Sequence, residues 1–157
     1  MRAALLSTPL GDLLAVATDD GALTRLSFDA EPPPGARRDD GAFAELGAQL
    51  AAFFARDRTT FELDLAPPGT PFQQRVWTAL AAVPFGQTTT YGALARELGD
   101  PGAAQAVGAA NGANPLAIVV PCHRVIGADG GLVGYAGGLH RKRALLDLER
   151  GQRSLFG

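Results

Sequence analysis

The fold is decided by residues 91–110, which read YGALARELGDPGAAQAVGAA. The first part has helical spacing up to Leu98 and is followed by Gly99, a residue type that commonly terminates helices. Asp100-Pro101 then suits the N-cap and first position of a second helix, which we expect to continue to about Ala110. Two helices joined by a short glycine-containing turn predict a helix-turn-helix.

The second of these helices has almost no side-chain bulk. Between residues 102 and 110, every residue except Gln105 and Val107 is Ala or Gly. Tight packing in an alanine-rich chain is one explanation. The other is steric, because a helix with ordinary side chains is roughly 10–12 Å across, whereas the DNA minor groove is about 6 Å wide. A slim helix could approach a widened minor groove, and it would bind DNA largely without regard to sequence.

Downstream of the two helices lies the stretch Val119-Val120-Pro121-Cys122-His123-Arg124-Val125, which contains the only cysteine of the chain. A lone cysteine is most often a small buried hydrophobe. Histidine and arginine are unusual neighbours for an inert thiol, and an adjacent imidazole can activate a thiol as a nucleophile. We expect a reactive centre here, on a turn that follows a short buried strand over Leu116 to Val120.

Upstream of the helix-turn-helix, the pattern predicts another helix and a domain boundary. Ala66-Pro67-Pro68-Gly69 has the composition of a linker. Thr70 and Gln73 have the spacing of a capping box, with Pro71 at the first helical position, so a helix is expected to run to about Val83. We therefore predict domains over 1–66 and 70–157.

The N-terminal half has an α+β pattern. Asp19-Asp20-Gly21 separates two apolar runs and predicts a hairpin. Apolar residues recur at helical spacing over 42–55, which predicts an amphipathic helix. Phe61, Leu63 and Leu65 alternate with polar residues and predict a half-buried strand. Nothing in this half suggests chemistry.

Composition limits the classes of function. The chain has 157 residues, 46% of them hydrophobic, and a net charge of −2. We expect no membrane span and no secretion signal, and one cysteine excludes an internal disulfide, which fits the cytoplasm. No zinc-binding spacing occurs, so we expect no metal and no cofactor. Residues 71–157 carry 8 basic and 5 acidic residues, so this half is expected to face any nucleic acid.

With these motifs in place, the chain resembles the O6-alkylguanine-DNA alkyltransferase family. The resemblance rests on Pro-Cys-His-Arg-Val at 121–125 and on three further motifs, which are Asn111-Gly112-Ala113-Asn114-Pro115, Gly134-Tyr135-Ala136-Gly137-Gly138 and the run from Arg141 to Glu149. It implies an α+β protein, with a small N-terminal antiparallel-sheet domain of ribonuclease H-like fold. A helical, winged-helix-like DNA-binding domain built on the helix-turn-helix follows.

The resemblance also implies a mechanism. Cys122 would accept the alkyl group from O6-alkylguanine, or from O4-alkylthymine, once and irreversibly. His123 would act as its base through a bound water, and Glu149 would hold and polarise His123. Tyr91 would assist the guanine leaving group at N3 and press on the DNA phosphate.

Binding roles are implied in the same way. Asn114 would order the active-site turn and Tyr135 would form one wall of the alkyl pocket. The carbonyls of Cys122 and Val125 and the amide of Ala136 would read the flipped guanine. We expect no cofactor or metal, and the resemblance implies that a monomer binds double-stranded DNA through its minor groove.

A base must leave the duplex to reach a buried thiol, at a cost of a few kcal/mol. In the family an arginine of the recognition helix fills the gap, and here the matching residue is Gln105. Glutamine lacks the fixed charge of a guanidinium and stacks less well, so base flipping or DNA affinity is expected to be weaker. The remaining residues expected to line the DNA are Ala103, Ala104, Gly108 and Tyr91.

Two other functions compete with repair. A non-catalytic sensor of alkylated DNA shares the fold, but that group lacks the acceptor cysteine. A hydrolase built on Cys122, His123 and Glu149 would need an oxyanion hole and true turnover, and it would leave the helix-turn-helix without a role.

Overall fold

The computed structural model describes residues 1–151 and divides into two compact units, Met1–Pro68 and a second unit that begins at Gly69. The predicted domain 70–157 includes residues 152–157, which lie outside the described part of the chain. The exact domain limits therefore stay a prediction. No helix within residues 1–151 has both the length and the apolar character to cross a membrane.

A mixed sheet forms the centre of the first unit. Its strands are β1 (Arg2–Thr8), β2 (Gly11–Ala17), β3 (Leu23–Phe28) and β4 (Arg37–Arg38), in the order β3-β2-β1-β4. Neighbouring strands are antiparallel except for the short β4, which pairs in parallel with β1. Every residue from Leu13 to Ala17 is buried, so both faces of β2 are covered. The predicted hairpin between β2 and β3 is confirmed.

The predicted helix of this unit is also confirmed. Helix α1 spans Ala44–Phe54 and follows a 3-10 turn over Asp40–Phe43. Leu46, Leu50 and Phe53 are buried, as the helical spacing requires.

The predicted strand over Phe61 to Leu65 is wrong. This segment belongs to no strand, and Leu65 makes an isolated bridge to Leu23. The Gln49 side chain supplies the hydrogen bonds that a neighbouring strand would have given. Its Oε1 accepts from the Glu62 N–H at 2.9 Å and its Nε2 donates to the Glu62 carbonyl at 2.9 Å.

The second unit is helical. Its helices are α2 (Pro71–Ala81), α3 (Tyr91–Glu97), α4 (Ala104–Gly112) and α5 (Leu139–Arg150). The predicted capping box of α2 is present, since Thr70 accepts from the Gln73 N–H and the Gln73 side chain accepts from the Thr70 N–H. Helices α3 and α4 form the predicted helix-turn-helix. The Trp77 indole N–H donates to the Ala110 carbonyl at 2.9 Å and ties α2 to the end of α4.

The turn between α3 and α4 differs in detail from the prediction. Gly99 adopts a left-handed conformation (φ 82°) just after α3, as expected of a terminating glycine. Asp100 precedes a 3-10 turn over Pro101–Ala103, but its side chain makes no capping hydrogen bond. Helix α4 begins only at Ala104 and continues to Gly112, two residues past the predicted end.

The predicted strand over Leu116 to Val120 is wrong, and the backbone explains why. The Val119 N–H donates to the Ala117 carbonyl at 2.8 Å, which closes a three-residue turn around Ile118. Ile118 has a φ of 71°, a strained value for a β-branched residue. The segment therefore folds on itself instead of extending.

Candidate active site

A side-chain amide braces the turn that carries the cysteine. The Asn114 Oδ1 accepts from the Leu116 N–H at 3.0 Å, and its Nδ2 donates to the Val120 carbonyl at 2.8 Å. Pro121 then leads into a 3-10 turn over Cys122–Arg124. The Cys122 N–H donates to the Val120 carbonyl at 2.8 Å, so the backbone on both sides of Pro121 is held in place.

The thiol of Cys122 is buried and needs help to lose its proton. Burial raises its pKa, while a hydrogen bond with Asn114 and the positive charge of Lys142 act in the opposite direction. The net effect is a raised pKa, so at neutral pH the resting group is the thiol and not the thiolate. A nearby base is therefore required for nucleophilic chemistry.

His123 and Glu149 form a buried pair that can supply this base. The His123 Nε2 lies 2.6 Å from the Glu149 Oε2, and both side chains are almost completely buried. Burial raises the pKa of Glu149, but hydrogen bonds from His123 and Arg124 outweigh it and bring the pKa to about 2. Burial lowers the pKa of His123 in spite of the opposing effect of Glu149.

These shifts determine which nitrogen of His123 carries the proton. At pH 7 the carboxylate of Glu149 is ionised and accepts only, so Nε2 of the neutral imidazole must be the donor. Nδ1 then carries a lone pair, and among the described residues it has no hydrogen-bond partner. His123 therefore presents a buried, oriented nitrogen that can accept a proton, and it directly follows Cys122 in the sequence.

Tyr135 contributes a second buried polar atom, after the His123 Nδ1, that lacks a hydrogen-bond partner within residues 1–151, and this atom is its hydroxyl oxygen. Burial raises the pKa of this hydroxyl well above the usual range, and an electrostatic interaction with Cys122 adds to the effect. Ala136, the next residue, is exposed, while the carbonyl of Val125 accepts from the Lys142 ammonium.

Lys142 is the functional candidate that the sequence patterns missed. It is completely buried, and its ammonium donates to the carbonyls of Val125, Val133 and Gly134. A signal was available, because Lys142 is the only lysine in a chain whose other 13 basic residues are arginines. It also lies two helical turns before Glu149, on the same buried face of α5.

Replacing Lys142 by Met is expected to slow the reaction of Cys122 with iodoacetamide on the order of tenfold at pH 8. Loss of the buried charge raises the thiol pKa further, and each pKa unit changes the thiolate fraction about tenfold. With one cysteine, the labelling rate against pH reports this pKa directly. Arg143→Met, an exposed neighbour on the same helix, is the control. Faster labelling of Lys142→Met would indicate a loosened structure and contradict the electrostatic role.

The other predicted residues lie together on the helix-turn-helix. Gln105 is exposed, and Ala103, Ala104 and Gly108 are partly exposed. The Tyr91 ring packs beside Gly108, 3.7 Å from where a Cβ would stand. The structure thus brings Cys122, His123, Glu149, Asn114 and Tyr135 into one cluster. The five residues expected at the DNA lie on α3, on α4 and on the 3-10 turn between them, and they are Tyr91, Ala103, Ala104, Gln105 and Gly108.

The fold and this cluster define a helix-turn-helix domain with a buried cysteine that is followed directly by a buried histidine–glutamate pair. Two family models match the chain. The DNA-binding domain of 6-O-methylguanine DNA methyltransferase matches residues 71–151, and the ribonuclease-like domain of the same protein matches residues 1–67. The chain belongs to the 6-O-methylguanine DNA methyltransferase family.

Individual relatives agree with this assignment. A methylated-DNA–protein-cysteine methyltransferase of Mycobacterium leprae is 50% identical over 151 residues, covering 94% of this chain and 91% of the relative. One from Methanosarcina acetivorans is 46% identical, covering 95% and 98%. The crystal structure of Mycobacterium tuberculosis OGT in complex with DNA superposes with a TM-score of 0.93 at 46% identity, covering 99% of this chain and 97% of that chain. The resemblance and the fold class drawn from the sequence are confirmed.

Proposed function

We propose that this protein repairs DNA by moving an alkyl group from O6 of guanine, and from O4 of thymine, to the Sγ of its own Cys122. The observation that carries the proposal is the buried Cys122–His123–Glu149 cluster. The Oε2 of Glu149 lies 2.6 Å from the Nε2 of His123, and the Nδ1 of His123 is left to act as the base. The family membership supports the enzyme class, and the curated relatives are named for the same transfer to cysteine.

The transfer is an in-line displacement. The Sγ of Cys122 forms a bond to the alkyl carbon as the bond from that carbon to O6 breaks, and the bonding electrons stay on guanine. The thiol proton passes to His123, directly or through a water, and Glu149 stabilises the imidazolium that results. Tyr91 is proposed to hydrogen-bond guanine N3 and so ease the departure of the base.

The product explains why one protein acts once. A thioether has no leaving group that could regenerate the thiol, and the chain has no second cysteine to attack it. Each molecule is therefore consumed by a single transfer.

The substrate pocket is proposed to lie around the same cluster. Tyr135 supplies an apolar ring against the alkyl group, and the backbone of Cys122, Val125 and Ala136 reads the edge of guanine. Asn114 keeps the turn in shape through its bonds to Leu116 and Val120. Since Val125 already accepts from Lys142, its carbonyl would bind guanine through its second lone pair.

DNA is proposed to be held by α4 in the minor groove, without sequence preference and by a monomer. Ala103, Ala104 and Gly108 allow close approach, and Gln105 fills the stack after the damaged base has flipped out. We place the protein in the cytoplasm.

Incubation with duplex DNA that contains one O6-methylguanine tests the proposal. We expect intact mass spectrometry to show a gain of one methyl group, peptide mapping to place it on Cys122, and activity to end after one equivalent of DNA is repaired. Cys122→Ser should remain unmodified. Repeated turnover without modification would favour a hydrolase, and tight binding without transfer would favour a non-catalytic sensor.

A further inference from the structure

Arg124 is a buried cation for which the proposed transfer has no use. Its side chain is 7% exposed, and its guanidinium lies 5.8 Å from the centre of the Phe85 ring. Its Nη1 donates to the Val83 carbonyl at 2.7 Å, in the loop that follows α2. Burying an arginine is costly unless its charge is balanced and its donors are used. A buried arginine beside the nucleophile therefore calls for an explanation.

The rest of the guanidinium is directed at Glu149. Its Nε donates to Oε1 at 2.8 Å and its Nη2 donates to Oε2 at 2.9 Å, which is the bidentate pairing that fixes a carboxylate plane. The Gly86 N–H adds a longer contact to Oε1 at 3.3 Å. Oε2, the oxygen that accepts from His123, is thus shared with Arg124 and cannot rotate away without breaking the fork.

The pairing also changes the charge that surrounds His123. A lone carboxylate at 2.6 Å would favour the imidazolium and so fill the lone pair of Nδ1 before any substrate arrived. The charged groups that act on His123 are Glu149 (−1), Arg124 (+1) and Lys142 (+1), which sum to +1. Burial is the largest effect that lowers the pKa of His123, and the charges of Arg124 and Lys142 act in the same direction, against that of Glu149. The other titratable groups nearby, Cys122 and Tyr135, are neutral at rest because burial raises the pKa of each.

We propose that Arg124 is a positioning residue that acts through Glu149, holding the carboxylate in the plane that orients His123 and offsetting its charge so that the resting imidazole stays neutral. The inference rests on the proposed function for the use of that imidazole. It assigns two effects to one side chain. The bidentate fork provides orientation, and the positive charge keeps Nδ1 free of a proton.

The test uses the full-length protein with Arg124→Met and Arg124→Lys. The imidazole of His123 is followed by NMR through a pH titration, and the exposed His140 serves as the internal reference, since the chain has no other histidine. Removing the cation is expected to raise the pH at which His123 titrates by about one unit or more. Arg124→Lys keeps the charge and loses the fork, so its titration should stay near that of the wild type.

Single-turnover rates of methyl transfer to Cys122 give the second readout. For Arg124→Met, the acid limb of the pH–rate profile should shift to higher pH together with the His123 titration, because the protonated imidazole cannot accept the thiol proton. Arg124→Lys should be slower at every pH with an unmoved limb. Phe85→Leu, which removes the ring beside the guanidinium but no charge, is the matched control and should leave the limb in place.

Two results would overturn the inference. One is an unchanged His123 titration in Arg124→Met, which would make Arg124 a purely structural residue. The other is an Arg124→Lys protein with wild-type rates of methyl transfer at every pH. This second result can be obtained even if Arg124→Met does not fold. Because the NMR titration needs neither DNA nor alkyl transfer, a moved titration in a protein that fails to take up methyl would refute the proposed function and leave the effect of Arg124 on His123 standing.

Discussion

Replacing Glu149 by Gln is expected to slow methyl transfer to Cys122 by a factor on the order of a hundred or more at pH 7. General-base assistance contributes about 10²–10⁴ in rate, and this pair depends on an ionised partner that only accepts. A glutamine can present its NH₂ to Nε2 of His123, which would place the proton on Nδ1 and block the base. Quenched-flow transfer from duplex O6-methylguanine DNA measures the effect.

The loss should be much smaller at pH 9. The pKa of Glu149 is about 2, so the wild-type carboxylate is ionised at both pH values and its own titration plays no part. The raised thiol pKa means that the thiolate fraction of the variant still grows as the pH rises, and that growth replaces the missing base. Asp147→Asn, which removes a carboxylate from the same helix, is the control. Equal slowing at both pH values would show that Glu149 is structural.

Most of the fold could be predicted from the sequence, because the strongest sequence signals are local. The capping box of α2, the terminating Gly99 and the Asp-Asp-Gly hairpin depend on residues within a few positions of one another, and the structure has all of them. The Cys-His motif also lies in adjacent positions. Bringing Glu149 to His123 depends on a fold that joins residues 26 apart, and only the family resemblance indicated it.

The two wrong strands share one feature and differ in another. Phe61 to Leu65 and Leu116 to Val120 have the apolar content of strands, but in each an amide side chain takes up part of the backbone hydrogen bonding, Gln49 in the first and Asn114 in the second. The second segment also turns back on itself at Ile118. Hydrophobic pattern predicts that a segment is buried, whereas strand pairing depends on what lies beside it, which periodicity does not contain.

The roles proposed for Arg124 and Lys142 were not predicted from the sequence, because charged residues usually lie on the protein surface. Both are buried, and each is explained by partners that are distant in the sequence. For Lys142, its rarity in the sequence was the more useful signal. It is the one lysine among 14 Lys and Arg residues, and a compact ammonium can donate to several carbonyls at once.

The helix-turn-helix itself has little positive charge with which to attract DNA. Residues 91–112 contain Arg96 as their one basic residue and Glu97 and Asp100 as their acidic ones, a net charge of −1. In the proposed complex, attraction to phosphates must then come from other parts of the protein, and filling the gap left by a flipped base would depend on shape and stacking more than on charge. The proposal therefore depends strongly on Gln105, the only long polar side chain between Pro101 and Ala110.

Replacing Gln105 by Ala is therefore expected to slow repair of duplex O6-methylguanine DNA by roughly 5- to 150-fold, the equivalent of the ~1–3 kcal/mol that it costs to leave a polar group of the orphaned base without its hydrogen-bond partner. Reaction with free O6-benzylguanine should stay near the wild-type rate, because that substrate needs no base flipping. Gln105→Arg should match or exceed the wild type on the duplex, since a guanidinium stacks well and attracts phosphate.

The two substrates separate base flipping from chemistry in the same protein. Gln87→Ala, an exposed glutamine of the same unit outside the helix-turn-helix, is the matched control and should repair both substrates normally. A loss on free O6-benzylguanine as large as that on duplex DNA would locate the defect at Cys122 instead of in the groove. If Gln105→Ala repairs duplex DNA at the wild-type rate, another side chain fills the stack, and the small residues of α4 serve packing alone.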